Sequence, residues 1–270
     1  LRRVVPHPGR GTEVHGHGLS EQGKERLQAT AQPVDFGMGQ SLCTAGLIPH
    51  RMLILEGGKA RLLGRQHGQL CTLAAMGPGA VVGLASLLRA QGCEEVSASS
   101  PVRASAIPDA VVLELYQSET SFRRWCNSTL FPAELASLLE VLLQRTERSP
   151  FGLLDVLGQA AASAQLVAPQ LDDLRSLDPE RELFVASANG AGAGIGDQLD
   201  SESALPEAAG QFPLRLISLP TALMAQVRQG RQAAAETNAS DAAASNTPAD
   251  ATAAAAQPLA ELQPSSLQLG

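Results

Sequence analysis

The stretch from Gly77 to Leu88 constrains the fold of this chain more than any other. It reads Gly-Pro-Gly-Ala-Val-Val-Gly-Leu-Ala-Ser-Leu-Leu, so that a turn is followed by two β-branched residues and then by Gly83. Gly83 opens a short apolar helix, and amide groups at the start of such a helix bind phosphates in many proteins. Since short predicted strands lie on both sides, the stretch predicts a β structure that carries a candidate anion site.

Short apolar runs alternate with turn residues from Pro33 to Ile107. The turn residues recur about every ten positions, which is typical of an antiparallel roll or barrel. Gly57 and Gly58 separate two of the runs and predict a hairpin. The predicted strands are residues 34–36, 40–43, 51–55, 59–63, 69–73, 81–82, 96–99 and 102–107.

Helices are predicted on both sides of the strand region. Ser20 fits the N-cap of a helix that ends near Ala31. After Pro108 the pattern fits either a helix capped by Asp109 or a last strand. Leucines recur at three- and four-residue steps in segment 132–144, which predicts a helix with one buried face. The predicted fold class is therefore mainly β: an antiparallel, jelly-roll-like β roll with flanking N- and C-terminal helices, followed by a mostly irregular extension.

The C-terminal part of the chain gives weaker signals. Segments 182–186 and 214–219 fit strands, and segments 151–164 and 171–177 fit helices. From residue 226 onwards Ala, Gln, Asn, Ser and Thr dominate without aromatic residues, a composition that cannot bury enough apolar surface to order itself. The predicted units are a flexible lead-in (1–18), the β roll (19–145), a partly ordered extension (146–225) and a disordered Ala-rich linker or tail (226–270).

Composition and charge narrow the class of partner. The net charge of -7 and the pI near 5.3, without a cluster of Lys and Arg, argue against nucleic acid. No window approaches the roughly 18 to 20 apolar residues of a membrane span. Cys43, Cys71, Cys93 and Cys126 are widely spaced, which predicts free thiols in a reducing, cytoplasmic compartment. Because the chain begins with Leu1, we expect it to be a piece of a longer protein.

The order of these features resembles the cyclic-nucleotide-binding domain family. A leading helix, the run Ile-Leu-Glu-Gly-Gly-Lys-Ala-Arg-Leu-Leu, the Gly77 stretch and a closing helix match it over roughly Leu19 to Gln144. The resemblance implies a β roll that holds a nucleotide under a hinged C-terminal helix, with the Gly77 stretch as the phosphate-binding cassette. The family cassette reads Phe-Gly-Glu-x-Ala/Ser, and Val82, Gly83 and Ser86 stand at its Phe, Gly and Ala/Ser positions.

Two departures from the family cassette predict a degenerate site. Leu84 stands where a glutamate would bind the ribose, and Gly92 or Cys93 stands where an arginine would bind the phosphate. Glu94 and Glu95 follow at once and would repel a phosphate.

The candidate ligand-binding residues are nevertheless the ones that the resemblance points to. Arg89 is either a substitute for the missing arginine or a solvent-facing residue, the second being the simpler interpretation. Arg103 fits an outward-facing strand residue. The candidates are Gly83, Leu84, Ala85, Ser86, Arg89 and Cys93.

A more specific sequence pattern comprises the Gly77 stretch continued to Cys93 and Glu94, together with segments 122–126 and 130–134. This pattern is similar to the N-terminal regulatory region of cyanobacterial ABC exporters. The resemblance implies a non-catalytic sensing or docking module whose partners are other domains of a membrane exporter, at the cytoplasmic face of a membrane. A cyclic nucleotide is the one ligand that the resemblance implies, and no other cofactor is predicted.

Other chemistries find less support in the sequence. There is no P-loop and no Gly-x-Ser-x-Gly elbow. The run 190–196 lacks the third glycine of a dinucleotide loop, which favours a linker. A metal-dependent cupin would need several inward-facing histidines, but His50 and His67 lie in turn-like contexts and His15 and His17 make at most half a site. Trp125 and Phe122 fit either base stacking or, more commonly, a hydrophobic anchor.

Overall fold

Eight antiparallel strands in two four-stranded sheets make up the body of the protein. The computed structural model describes residues 19–66, 68–146, 152–169, 178–200, 205–207 and 209–228. The strands are β1 (Gln32–Phe36), β2 (Ser41–Cys43), β3 (Arg51–Gly57), β4 (Ala60–Gln66), β5 (Gln69–Met76), β6 (Val81–Val82), β7 (Glu95–Ala98) and β8 (Val102–Pro108).

The strand order defines a jelly roll. The first sheet has the order β1-β8-β3-β6 and the second sheet the order β2-β7-β4-β5. All pairings in both sheets are antiparallel. Consecutive strands alternate between the two sheets except for the pair β4 and β5, as in an eight-stranded double-sheet roll. The predicted mainly β, roll-like fold class is confirmed.

The hairpin predicted across Gly57 and Gly58 is wrong. β3 pairs with β8 and β6, whereas β4 pairs with β5 and β7, so the chain crosses from the first sheet to the second at these glycines. Gly58 has a φ of +84°, and a Cβ atom on it would lie 2.0 Å from the carbonyl oxygen of Pro101. The glycine pair therefore serves a crossing that no larger residue permits, rather than a hairpin turn.

Helices flank the roll as the sequence predicts. They are α1 (Glu21–Thr30), α2 (Leu84–Leu88), α3 (Asp109–Ser118), α4 (Thr120–Ser128) and α5 (Pro132–Arg145). The Ser20 side chain accepts a hydrogen bond from the Gly23 amide and so caps α1, as predicted. The segment after Pro108 is a helix and not a last strand.

A third sheet lies beyond the roll. Helix α6 (Leu153–Ala160) leads into strands β9 (Gln165–Val167), β10 (Arg181–Val185), β11 (Gln198–Leu199) and β12 (Leu216–Pro220), and residues 221–228 form helix α7. These strands make an antiparallel sheet in the order β11-β10-β12-β9, which we call sheet C. The strands predicted at 182–186 and 214–219 are confirmed by β10 and β12, whereas the helix predicted at 171–177 lies outside the described residues.

The roll and sheet C share one hydrophobic core. Leu53 and Leu55 of β3 belong to a cluster that also contains α5, α6, Phe184 and Ile217. Met52 and Ile54, on the opposite face of β3, join a second cluster with α1 to α4. Both faces of β3 are therefore buried, which explains why four consecutive apolar residues occur in one antiparallel strand. The division of the chain at residues 18, 145 and 225 stays a prediction.

Candidate functional site

Helix α2 begins at a glycine that no other residue can replace without strain. Gly83 follows β6 with a φ of +92°, in the left-handed region that favours glycine. A Cβ atom on Gly83 would lie 2.8 Å from the carbonyl oxygen of Arg51. The turn places the first amides of α2 toward the interior, where all five residues of the helix are buried.

The carboxylate of Glu94 binds the start of α2. Its Oε1 accepts a hydrogen bond from the Gly83 amide at 2.8 Å, and its Oε2 accepts bonds from the Ser86 amide at 3.0 Å and the Ser86 hydroxyl at 2.8 Å. Glu94 is buried. An anion at a helix start is favourable because the free amides and the helix dipole both attract negative charge. The amides that an external anion would need therefore already donate hydrogen bonds to a carboxylate of the same chain.

Burial and hydrogen bonding act on Glu94 in opposite directions. Burial raises the pKa of Glu94, while the hydrogen bonds from Ser86 and Gly83 and the positive charge of Arg89 lower it, and the net direction is upward. Ser86 also accepts a hydrogen bond from the Cys93 amide at 3.1 Å through its hydroxyl oxygen. The hydroxyl of Ser86 thus links both ends of the loop that returns from α2 to β7.

Arg89 is buried, so the interpretation of a solvent-facing arginine is wrong. Its exposure is 0%, and its Nε donates a hydrogen bond to the carbonyl oxygen of Ala186, beyond β10, at 2.5 Å. Neither terminal nitrogen of its guanidinium has a hydrogen-bond partner among the residues that the structure describes. Burial raises the pKa of the neighbouring Cys93 thiol to about 11, although the charge of Arg89 lowers it.

The structure brings together only some of the predicted site residues. Gly83, Ser86 and Cys93 meet around Glu94. Leu84 and Ala85 point into the apolar cluster that contains Met52 and Ile54, so the position of the expected ribose-binding glutamate is part of the core. The sequence predicts only that Glu94 repels a phosphate, whereas in the structure its carboxylate accepts hydrogen bonds from Gly83 and Ser86. Whether these residues bind a ligand stays a prediction.

Little space remains inside the roll beside Glu94. The cavity there has a volume of about 30 Å³, whereas pockets for small molecules usually measure about 300 to 1,000 Å³. Such a volume suits a water molecule rather than a nucleotide. The cavity is lined by Leu62, Ala74, Met76, Ala80, Val81, Glu94, Phe131, Pro132 and Ala133.

Helix α5 closes the roll with apolar side chains. Leu135, Leu138 and Leu139 belong to the roll's own core cluster, as the leucine spacing predicts. Phe122 and Trp125 are buried before it, with ring centroids 5.8 Å apart, and Trp125 meets Phe131 edge-on at 6.0 Å. These aromatic rings anchor α4 and α5, which fits the hydrophobic-anchor interpretation.

The other predicted chemistries find no centre in the described part of the chain. The described residues contain no group of three or more His, Cys, Asp or Glu that could hold a metal ion. The His50 side chain is exposed, and its Nδ1 lies 3.9 Å from Asp109 Oδ2. His15, His17 and His67 lie outside the described residues. The structure therefore does not favour the cupin alternative. No described helix combines the length and the hydrophobicity that crossing a lipid bilayer requires.

Exposed and buried arginines differ sharply in their partners. Arg103 is exposed and pairs with Asp35 at 3.2 Å, which confirms the prediction that it faces outward. Arg215 of sheet C is buried and binds both carboxylate oxygens of Glu134 in α5, at 2.6 and 2.7 Å. Burial lowers the pKa of Arg215, but the charge of Glu134 and the hydrogen bonds to it raise that pKa, and the net direction is upward.

Sequence reasoning missed the Arg215 and Glu134 pair. One signal was present: Arg215 interrupts the apolar run from Leu214 to Leu219, and Glu134 lies in the first turn of a helix that is otherwise mostly apolar. A charge in an apolar run indicates a buried partner, because an unpaired buried charge costs a great deal of free energy. The identity of that partner, which lies 81 positions away, follows only from the structure.

Comparisons with known proteins give only partial structural likenesses. No protein-family profile matches this sequence, and no curated protein is detectably similar to it. A catabolite activator protein from Thermus thermophilus is 24% identical over 48% of this chain, with a TM-score of 0.37. A putative cyclic nucleotide-binding protein from Geobacter metallireducens is 16% identical over 49% of this chain and 92% of its own length, also with a TM-score of 0.37.

A third likeness is of the same size. A putative cAMP-binding regulatory protein from Silicibacter pomeroyi is 19% identical over 47% of this chain, with a TM-score of 0.36. The match spans 57% of the length of the Thermus protein and 56% of the Silicibacter protein. At these identities and TM-scores the likenesses carry no functional conclusion for this chain.

Proposed function

We propose that this chain is a non-catalytic regulatory or docking module, built on a cyclic-nucleotide-binding-like roll with a degenerate pocket. The hydrogen bonds from Gly83 and Ser86 to the Glu94 carboxylate carry this proposal. They satisfy, within the chain, the amides that would otherwise attract a cyclic phosphate. An external anion would have to displace a buried carboxylate that already has three donors.

The surroundings of Glu94 support the same proposal. Leu84 offers no carboxylate to a ribose, and Cys93 offers no charge to a phosphate. Each missing charge-assisted hydrogen bond lowers affinity by about 1.5 to 3 kcal/mol. A cavity of about 30 Å³ beside Glu94 adds a steric barrier to nucleotide entry.

We propose further that the module is the N-terminal part of an ABC-type exporter. The support is the resemblance of the segment from Gly77 to Glu94, and of segments 122–126 and 130–134, to the regulatory region of such exporters. The module would then act through contacts with other exporter domains, on the cytoplasmic side of the membrane. Sequencing the complete reading frame tests this part of the proposal, because membrane spans and an ATPase should follow Gly270.

Calorimetric titration tests the degenerate pocket directly. Purified chain is titrated with cyclic AMP and with cyclic GMP, and we expect no heat of binding at micromolar ligand for either nucleotide. Micromolar affinity for either nucleotide contradicts the proposal. A protein of known affinity for cyclic AMP, titrated under the same conditions, serves as the positive control.

The alternative function is a working cyclic nucleotide sensor, and the state of Arg89 favours it. Its two terminal guanidinium nitrogens have no nitrogen or oxygen partner in the described residues, and a bound ion is one explanation for buried donors of this kind. This function predicts micromolar binding that an Arg89→Ala substitution abolishes. Arg103→Ala is the matched control, since it removes the same charge from an exposed position.

A further inference from the structure

Sheet C contacts the C-terminal end of helix α2 through a short segment after β10. The Ala188 amide donates a hydrogen bond to the Arg89 carbonyl at 2.9 Å, and the Asn189 side-chain amide donates one to the Leu88 carbonyl at 2.7 Å. In return, Arg89 Nε donates to the Ala186 carbonyl. The last carbonyls of a helix lack partners within it, so this segment caps α2 in place of water.

The neighbouring strand β12 leads to a second contact, between α4 and α5. Arg215 donates from Nη1 to the Cys126 carbonyl and from Nη2 to the Thr129 carbonyl, both at 2.8 Å. The same guanidinium binds the Glu134 carboxylate in the first turn of α5. A cation at the end of α4 and a carboxylate at the start of α5 are both favourable with respect to the helix dipoles.

A direct backbone link joins the two contacts. The Ala186 amide donates to the Arg215 carbonyl at 2.9 Å, and the Arg215 amide donates to the Ser187 hydroxyl at 3.0 Å. Asn189 also binds the Pro213 carbonyl at 3.0 Å, two residues before Arg215. Ser187, Asn189 and Arg215 are all buried, so water does not replace these hydrogen bonds. One end of sheet C thus contacts α2 on one side and the α4–α5 junction on the other.

We propose that residues 186–189 and Arg215 form an intramolecular clamp, which fixes helix α2 relative to the α4–α5 junction. Opening the clamp at either contact loosens the other, because both belong to one buried hydrogen-bonded unit. A contact that another domain makes on sheet C would therefore loosen or fix α2, even when no ligand is bound in the roll. The clamp rests on these contacts alone, and it holds whether or not the roll binds a nucleotide.

Hydrogen exchange of the whole chain, followed by mass spectrometry, tests the clamp. Asn189→Ala removes the bonds to Leu88 and Pro213 and leaves the Arg215 side chain intact. Loss of these two buried hydrogen bonds should accelerate exchange in residues 83–92 about tenfold. The clamp further predicts a similar acceleration in residues 120–135, which accept neither of these two hydrogen bonds, while β3 and β8 exchange as in the unmodified chain.

The control removes a different contact of sheet C. Arg228→Met breaks the ion pair between Arg228 of α7 and Glu182 of β10. We expect residues 83–92 and 120–135 to exchange at their original rates in this variant. If Asn189→Ala accelerates only residues 83–92, or if Arg228→Met accelerates both segments, the two contacts are not one clamp.

A milder variant and the reciprocal variant keep the test decisive. If Asn189→Ala prevents folding, Ser187→Ala replaces it, because this substitution removes only the hydroxyl that accepts a hydrogen bond from the Arg215 amide. Hydrogen exchange is then measured in the same two segments. Coupling between two sites is reciprocal, so Glu134→Gln, which perturbs the α4–α5 contact, should accelerate exchange in residues 83–92. Unchanged exchange in residues 83–92 of that variant overturns the proposal.

Discussion

Glu94 accepts a hydrogen bond from the amide of Gly83 at 2.8 Å, and this bond closes the loop that contains helix α2. Gly83 supplies a left-handed turn that leaves the first amides of α2 free to donate hydrogen bonds. Glu94, at the other end of the loop, accepts these hydrogen bonds and so compensates the positive end of the helix dipole. The amides at the start of α2 thus find their hydrogen-bond acceptor within the same chain.

Glu94→Ala should lower the free energy of unfolding by about 2 to 4 kcal/mol. The substitution leaves the buried amides of Gly83 and Ser86 without an acceptor, and each such group costs about 1 to 3 kcal/mol. Urea-induced unfolding measures the change. Glu95→Ala is the control, because Glu95 is only half-buried and its Oε2 lies 3.9 Å from Arg65 Nη2. The free energy of unfolding of this variant should fall by no more than about 0.5 kcal/mol. Equal losses in both variants would contradict the role assigned to Glu94.

The stability of the protein should depend on pH through Glu94. A carboxyl whose pKa is raised on folding binds its proton more tightly in the folded state. Its stabilising contribution is therefore complete below the ordinary pKa of 4.5 and is lost as the pH rises through the folded pKa. As the pH rises above 4.5, unfolding free energies should fall more steeply for the unmodified chain than for Glu94→Gln, since glutamine does not titrate. Parallel curves would contradict the raised pKa.

The roll could be predicted from the sequence because its signals are local. Turn residues between short apolar runs predict seven or eight strands, Ser20 predicts the start of α1, and the leucine spacing predicts the buried face of α5. The pairing of strands across sheets is not local. Gly57 and Gly58 fit a hairpin turn equally well, and only the close approach of the Pro101 carbonyl shows that the chain crosses between sheets there.

The chemistry of the candidate site was harder to predict for the same reason. Motif positions point to Gly83 and Ser86 as candidate ligand-binding residues, and both bind Glu94 in the structure, but the effect of Glu94 depends on where its carboxylate points. An exposed Glu94 would repel a phosphate, whereas the buried carboxylate accepts hydrogen bonds from Gly83 and Ser86. The sequence predicts that Arg89 faces solvent because nothing in its own segment indicates that sheet C packs nearby. In the structure, Arg89 Nε donates a hydrogen bond to the carbonyl oxygen of Ala186, directly after β10.

Gly83→Ala should destabilise the protein by more than the cost of its backbone conformation alone. A φ of +92° strains any residue with a Cβ atom, and the new Cβ would lie 2.8 Å from the Arg51 carbonyl oxygen. Gly39→Ala is the matched control, since Gly39 has a φ of +84° and no atom within 4 Å of the Cβ position. We expect a loss of about 1 kcal/mol for Gly39→Ala and at least about 2 kcal/mol for Gly83→Ala, by urea-induced unfolding. Equal losses would show that the contact with Arg51 is unimportant.

Removing one member of the buried pair between Arg215 and Glu134 should destabilise the protein more than removing both. Arg215→Met or Glu134→Gln alone leaves a buried charge without its partner, which costs about 3 to 5 kcal/mol. The double variant leaves neither charge, so its loss should be well below the sum of the single losses. Unfolding free energies of the four proteins in this cycle give the coupling.

The exposed pair between Arg103 and Asp35 provides the matched cycle for that experiment. Its nitrogen and oxygen are 3.2 Å apart, but both side chains are more than two thirds exposed. Solvent screens such a pair, and its coupling should stay below about 1 kcal/mol. A coupling of that size for Arg215 and Glu134 would mean that water reaches their guanidinium and carboxylate groups. Sheet C would then lie on the α4–α5 junction without the buried contact that the structure shows.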